Sequence, residues 1–213
     1  MSALEAALAG RIDRPLLAPQ FAALAAEVEQ LDVDTFLADP GRRARIYADL
    51  ARSLRPDVLI VDDGGEPALV ADVIRRVRAV VDTELGVVIP GPGAGSIQPV
   101  LAAARSAAEA GARVIFVRED GEMPEARALT PLWGSLKFFR AVGVLKAPWA
   151  GELPRGPFLP CVSTPIDAPH ALGVAPGEAA RPGPSTALIT HTEDLAGHIP
   201  IRELQSAVAR LRG

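Results

Sequence analysis

Cysteine is almost missing from this chain: Cys161 stands alone among 213 residues. A single thiol closes no internal disulfide, so we expect a reducing compartment, the cytoplasm. Aromatic residues are scarce too, at 4%, too few for a surface that stacks nucleic-acid bases. Basic excess is absent: 22 Lys and Arg against 26 Asp and Glu leave a net charge of −4. That argues against nucleic acid or an anionic membrane as partner. No segment approaches the roughly 18 unbroken apolar residues of a membrane span. The first residues, MSALEAALAGRIDRP, carry Glu5 within their apolar part and no basic leader, unlike a secretory signal.

Several chemical signatures are missing as well. No G-x-G-x-x-G follows the first strand-like run, which weakens a dinucleotide-binding reading. No G-x-S-x-G marks a hydrolase nucleophile. No H-x-C, C-x-x-C or H-E-x-x-H spacing points to zinc: Leu159 stands two residues before Cys161. Cys161 is therefore a weak metal candidate and reads more simply as a small buried hydrophobe. We expect no cofactor.

What is present is an alternation. DVLIVDDGG (57–65), GVVIPGPGAGS (86–96) and ARVIFVRED (112–120) are apolar runs that end in polar turns, as expected of strands covered on both faces. Helical stretches separate them: 34–55, 67–85, 97–111 and 129–143. Asp39 with Pro40 reads as a helix start, and Gly111 as a helix stop. Ile46, Leu50 and Leu54 form one apolar stripe; Leu69, Val73, Val77 and Val80 or Val81 form another. From 143 to 185 the rhythm breaks. That stretch is rich in proline, with a possible strand at 143–151, a short strand near Phe158–Ser163 and a short helix and loop over 170–184. A strand over 185–194 and a helix over 199–213 close the chain. Six or seven strands with helices between most of them predict a single domain, 1–213, of parallel α/β architecture, open or closed.

The strand ends are where chemistry gathers in a parallel barrel. In order they carry Gln20, Asp62 and Asp63, the GPGAGS turn (Gly91, Gly93, Ser96), Glu119 and Asp120, Lys146 and Trp149, Cys161 and Ser163, and His191. Asp62, Asp63, Glu119 and His191 are candidate catalytic groups, because carboxylates and imidazole move protons. Gln20, Gly91, Gly93, Ser96 and Trp149 are candidate substrate contacts, the GPGAGS turn because backbone N–H groups before a helix can meet an anion. Turn chemistry alone also explains Asp62-Asp63-Gly64-Gly65. His170 and His198 read as loop residues.

Short motifs along the chain resemble the uroporphyrinogen decarboxylase family and its superfamily, which includes corrinoid-linked methyltransferases and cobalamin-independent methionine synthase. They are ALAGRIDRPLLAP (7–19), FLADPGRRARIYADLARSLRPDVLIVDDG (36–64), GVVIPGPGAGS (86–96), AAEAGARVIFVRED (107–120) and ITHTEDLAGHIPIRELQSAVARLR (189–212). The resemblance implies a TIM-type barrel, abridged in its C-terminal half. It places the family's key aspartate on Asp62 or Asp63 and its histidine on His191. APQFAALAAE (18–27) holds no arginine where that family grips its polycarboxylate. The implied enzyme is therefore a lyase for a small carboxylated or heterocyclic substrate other than uroporphyrinogen. A methyl- or alkyl-transferase and a non-catalytic binding or assembly subunit are the alternatives. An abridged barrel exposes apolar surface, which predicts a homo-oligomer.

Overall fold

In the computed structural model the described residues are 3–9, 11, 14–61, 66–93, 95–119, 129–146, 158–175, 178–191 and 201–211. They build eight strands, β1 (Leu16–Ala18), β2 (Val58–Val61), β3 (Glu84–Pro90), β4 (Val114–Arg118), β5 (Val142–Lys146), β6 (Phe158–Val162), β7 (His170–Val174) and β8 (Thr186–His191). All the ladders are parallel, in the order β1-β8-β7-β6-β5-β4-β3-β2. β1 and β2, the two ends of that order, also lie in contact. The result is a nearly closed barrel of the TIM type.

Helices α1 (Ala3–Leu8), α2 (Ala22–Val28), α3 (Val33–Leu37), α4 (Pro40–Leu54), α5 (Pro67–Arg78), α6 (Ile97–Ala110), α7 (Thr130–Phe138) and α8 (Ile201–Leu211) accompany the strands. The expected start at Asp39 is present: its side chain accepts from the Arg42 N–H at 3.0 Å, with Pro40 in the first turn. Gly111 ends α6 at φ 117°, a conformation that costs glycine little. From α4 to α7, each helix packs on the next, forming a wall outside β2–β5. No helix occupies the described residues between β6 and β7 or between β7 and β8, so the barrel is abridged in its C-terminal half. No helix among the described residues is long and apolar enough to cross a membrane.

Alternation along each strand sorts the side chains into two cores. Leu16, Val58, Ile60, Val88, Phe116, Val144, Leu159 and Leu188 fill the barrel interior, where Leu4 and Ala7 of α1 join them. Leu17, Leu59, Val61, Val87, Ile115, Val117, Leu145 and Ile189 pack in the outer core, which includes the helix residues Leu50, Ile74, Leu101 and Leu132. Every strand is thus covered on both faces, which explains the uninterrupted apolar runs. Each fully buried aliphatic side chain is worth about 1.5–3 kcal/mol.

The seam between β1 and β2 has no ladder among the described residues. Asp57, just before β2, bridges it instead. Its carboxylate accepts from the Leu17 N–H at 2.9 Å and receives both guanidinium nitrogens of Arg14, at 2.7 and 2.8 Å.

Two readings of the sequence need correction. The stretch from 170 is a strand, β7, not a helix. HALGV lacks a helical stripe, and its five residues are all buried. His170 opens that strand fully buried. Its Nδ1–H donates to the Ala168 carbonyl (2.8 Å), and its Nε2 accepts from the Thr186 hydroxyl (2.9 Å). The stripe of α5 holds at Val73 and Val77 and continues to Val81, which packs against the outer core, but Val70 and Ile74 are its other buried members in place of the half-buried Leu69, and Val80 is 54% exposed beyond the helix end.

Candidate functional site

The parity of each strand decides which strand-end side chain faces the barrel mouth. Arg118 continues the interior phase of Val114 and Phe116; Lys146 continues that of Val142 and Val144. The two are register partners on neighbouring strands, so two cations stand side by side at the carboxyl end of the barrel. Thr190 takes the interior phase of Leu188 on β8, and Cys161 that of Leu159 on β6. Glu119 and His191 fall on the opposite phase, that of Val117 and Ile189, which pack in the outer core.

Gln20, Lys146 and His191 are brought together. Gln20, buried just after β1, donates from Nε2 to the His191 carbonyl at 3.2 Å and to the Thr190 hydroxyl at 3.4 Å. Lys146 Nζ reaches the same carbonyl at 3.5 Å from β5. That oxygen therefore gathers donors from β1 and β5 onto β8. The His191 ring is 1% exposed, and its Nδ1 has no hydrogen-bond partner among the described residues. Burial, helped by the charge of Lys146, lowers its pKa to about 4. At neutral pH the ring is uncharged.

Glu119 turns away from this group. It is 7% exposed, and its carboxylate accepts from the Gly93 N–H at 2.8 Å. A Cβ on Gly91 would collide with that carboxylate, so glycine at 91 is what allows the approach. The Gly91 N–H donates to the Arg118 carbonyl at 2.6 Å, and Ser96 caps α6 by accepting from the Gln98 N–H at 3.2 Å. Thus the N–H groups of Gly91, Gly93 and Gly95 are engaged within the protein, that of Gly93 by the chain's own Glu119.

Cys161 is buried, and that burial pushes its thiol up to about 11, against a smaller opposing pull from Lys146. A thiol held protonated is a poor metal ligand or alkyl acceptor. No group of three metal-binding side chains occurs among the described residues. Asp62, Asp63, Asp120, Trp149 and His198 lie outside the described residues.

The sequence reading gave Arg118 no role and placed Lys146 only as a strand end. The signal for both was the two-residue period in VIFVR and VGVLK, which carries the interior phase through to the terminal cation.

No protein-family model matches the chain, and no curated protein matches it. Solved structures do. A protein assigned as a phosphonomutase from Burkholderia cenocepacia J2315 aligns over 95% of this chain and 92% of its own, at 12% identity and a TM-score of 0.54. A 3-dehydroquinate dehydratase from Geobacillus kaustophilus HTA426 aligns over 95% and 94%, at 16% identity and a TM-score of 0.43. A type I 3-dehydroquinate dehydratase from Clostridium difficile aligns over 63% of this chain at 10% identity and a TM-score of 0.40. This chain spans about half of that protein's length, 52%. The first of these likenesses supports the barrel fold. The resemblance to uroporphyrinogen decarboxylases is corrected: no family model carries it, and the likeness that supports the fold is to a protein assigned as a phosphonomutase. Short motifs such as an acidic-Pro helix start or a Gly-Pro turn serve any parallel barrel, which is why they misled.

Proposed function

We propose that the C-terminal mouth binds a small carboxylated substrate and that the chain is a barrel enzyme of lyase type. The observation that carries this reading is the Arg118–Lys146 register pair, two cations on the interior phase of adjacent strands. A guanidinium grips a carboxylate with paired donors, and an ammonium adds a mobile point charge. Lys146 also serves a developing oxyanion, since its amine already lies over the mouth against the His191 carbonyl. His191 serves this site through its main-chain oxygen, which receives Gln20 and Lys146, while its ring falls on the outer-core phase.

The test is binding first, turnover second. Malonate, succinate and pyruvate are titrated into the protein by calorimetry, then into Arg118→Gln and Lys146→Gln. One or more of these acids should bind, and either variant should lose roughly tenfold or more in affinity. Bound acids are then followed by NMR for loss or gain of water or carbon dioxide. If no acid binds, or binding ignores both substitutions, the site reading fails. Binding without turnover of any acid supports the non-catalytic alternative.

A further inference from the structure

The opposite end of the barrel holds a cavity of about 550 Å³. Its apolar side is built by Leu4 and Leu8 of α1, Val142 at the start of β5 and Leu159 of β6. Leu4, Val142 and Leu159 belong to the barrel-interior core, so the cavity opens directly onto it. Trp133 of α7 adds a flat wall and is 42% exposed. Two cations close the rim, Lys137 in the last turn of α7 and Arg140 just after it. Neither side chain has a hydrogen bond or an ion pair among the described residues. Glu5 is the single acid among the described lining residues. Arg140 holds φ at 53°, a left-handed conformation uncommon for a side-chain-bearing residue, and its N–H donates to the Lys137 carbonyl at 3.2 Å.

We infer that this cavity is a second binding site, for a small anion with a flat apolar body, an aromatic carboxylate or sulfonate. The volume lies within the range of small-molecule sites, and the design is that of such sites, mostly apolar with a few convergent polar groups. The charges set the orientation: the hydrocarbon against Leu4, Val142 and Leu159, the anion at Lys137 and Arg140. A neutral ligand would leave both cations unanswered, and a fully polar anion would leave the apolar wall wet. Trp133 is placed to stack on the body.

The probe is 1-anilinonaphthalene-8-sulfonate, titrated into the full chain by fluorescence. N-phenyl-1-naphthylamine serves as its uncharged counterpart. The anionic probe should bind saturably at one site. The double variant Lys137→Gln/Arg140→Gln should weaken it by roughly tenfold or more while shifting the neutral probe by less than about twofold. Leu8→Trp, which adds bulk to the apolar side of the cavity and leaves both cations in the sequence, should block both probes. Far-UV circular dichroism and a cooperative melt confirm that each variant folds. The proposal is overturned if the anionic probe does not saturate, if the double variant binds it as well as the parent, or if Leu8→Trp leaves both probes bound. It is also overturned if the chain is a dimer whose dissociation by Leu8→Trp, seen by ultracentrifugation, shows that a second copy fills the cavity.

Discussion

Lys146 on β5 and His191 on β8 meet across the barrel mouth, the lysine amine donating to the histidine's main-chain oxygen at 3.5 Å. The ammonium thus sits near a buried ring, and burial first, with the lysine's charge second, keeps that ring uncharged. His191 titrates near 4 in the fold against 6.5 for the free side chain. The unfolded chain therefore binds the extra proton first, and stability falls as pH drops through 6.5 toward 4. Between about pH 7 and pH 5 this one group should cost about 2 kcal/mol. Denaturant melts at both values should show that loss in the parent and a clearly smaller one in His191→Gln. Equal losses in the two proteins would refute it.

Asp57 and Arg14 should not weigh equally. Removing Arg14, whose side chain is 53% exposed, deletes a surface ion pair worth about 0–1 kcal/mol. Removing Asp57 also strands the N–H of Leu17, a residue 1% exposed, at a cost of about 1–3 kcal/mol. Asp57→Ala should therefore melt well below Arg14→Ala. The reverse order would show that β1 is held by something other than the carboxylate.

Cys161 should be silent in the native protein. With its thiol near 11, almost none is thiolate at about pH 8, and burial blocks reagent as well. Reaction with a disulfide dye should proceed only at the rate of unfolding and become immediate in denaturant. Fast stoichiometric labelling of the folded chain would contradict this and reopen thiol chemistry.

Two glycine substitutions should have opposite signs. Gly91→Ala drives a methyl into the Glu119 carboxylate and to 3.0 Å from the Arg118 carbonyl, and should destabilise by about 1–3 kcal/mol. Gly134→Ala, on an exposed turn of α7 with nothing within 4 Å, should stabilise by up to about 1 kcal/mol. Thermal melts of the two variants decide it.

Much of the fold was legible because each early strand is bounded by its own punctuation. Asp39-Pro40 and Gly111 act locally, and the structure uses both as helix ends. β7 was not legible. Its five residues hold His170 and Gly173 among three apolar ones, and only pairing with β6 and β8 makes them a strand. α2 was overlooked for a related reason: AALAAEV is short and alanine-rich, and its burial, not its pattern, marks it. The candidate site was legible in position but not in direction. Strand ends were found, yet Glu119 and His191 were weighed like the others although they fall one residue out of phase with the interior. Counting by twos back from the strand end separates them from Arg118 and Lys146. The family resemblance failed because its motifs encode barrel construction rather than chemistry.

The bridged seam has a consequence beyond holding β1 to β2. Among the described residues the sheet does not close by backbone pairing and keeps two borders, and an unpaired border is a template on which another chain can add a strand. Here one border is a strand of only three residues, and a buried N–H it would offer is already taken by the Asp57 carboxylate. The same side chain that completes the barrel thereby guards it against edge-to-edge aggregation.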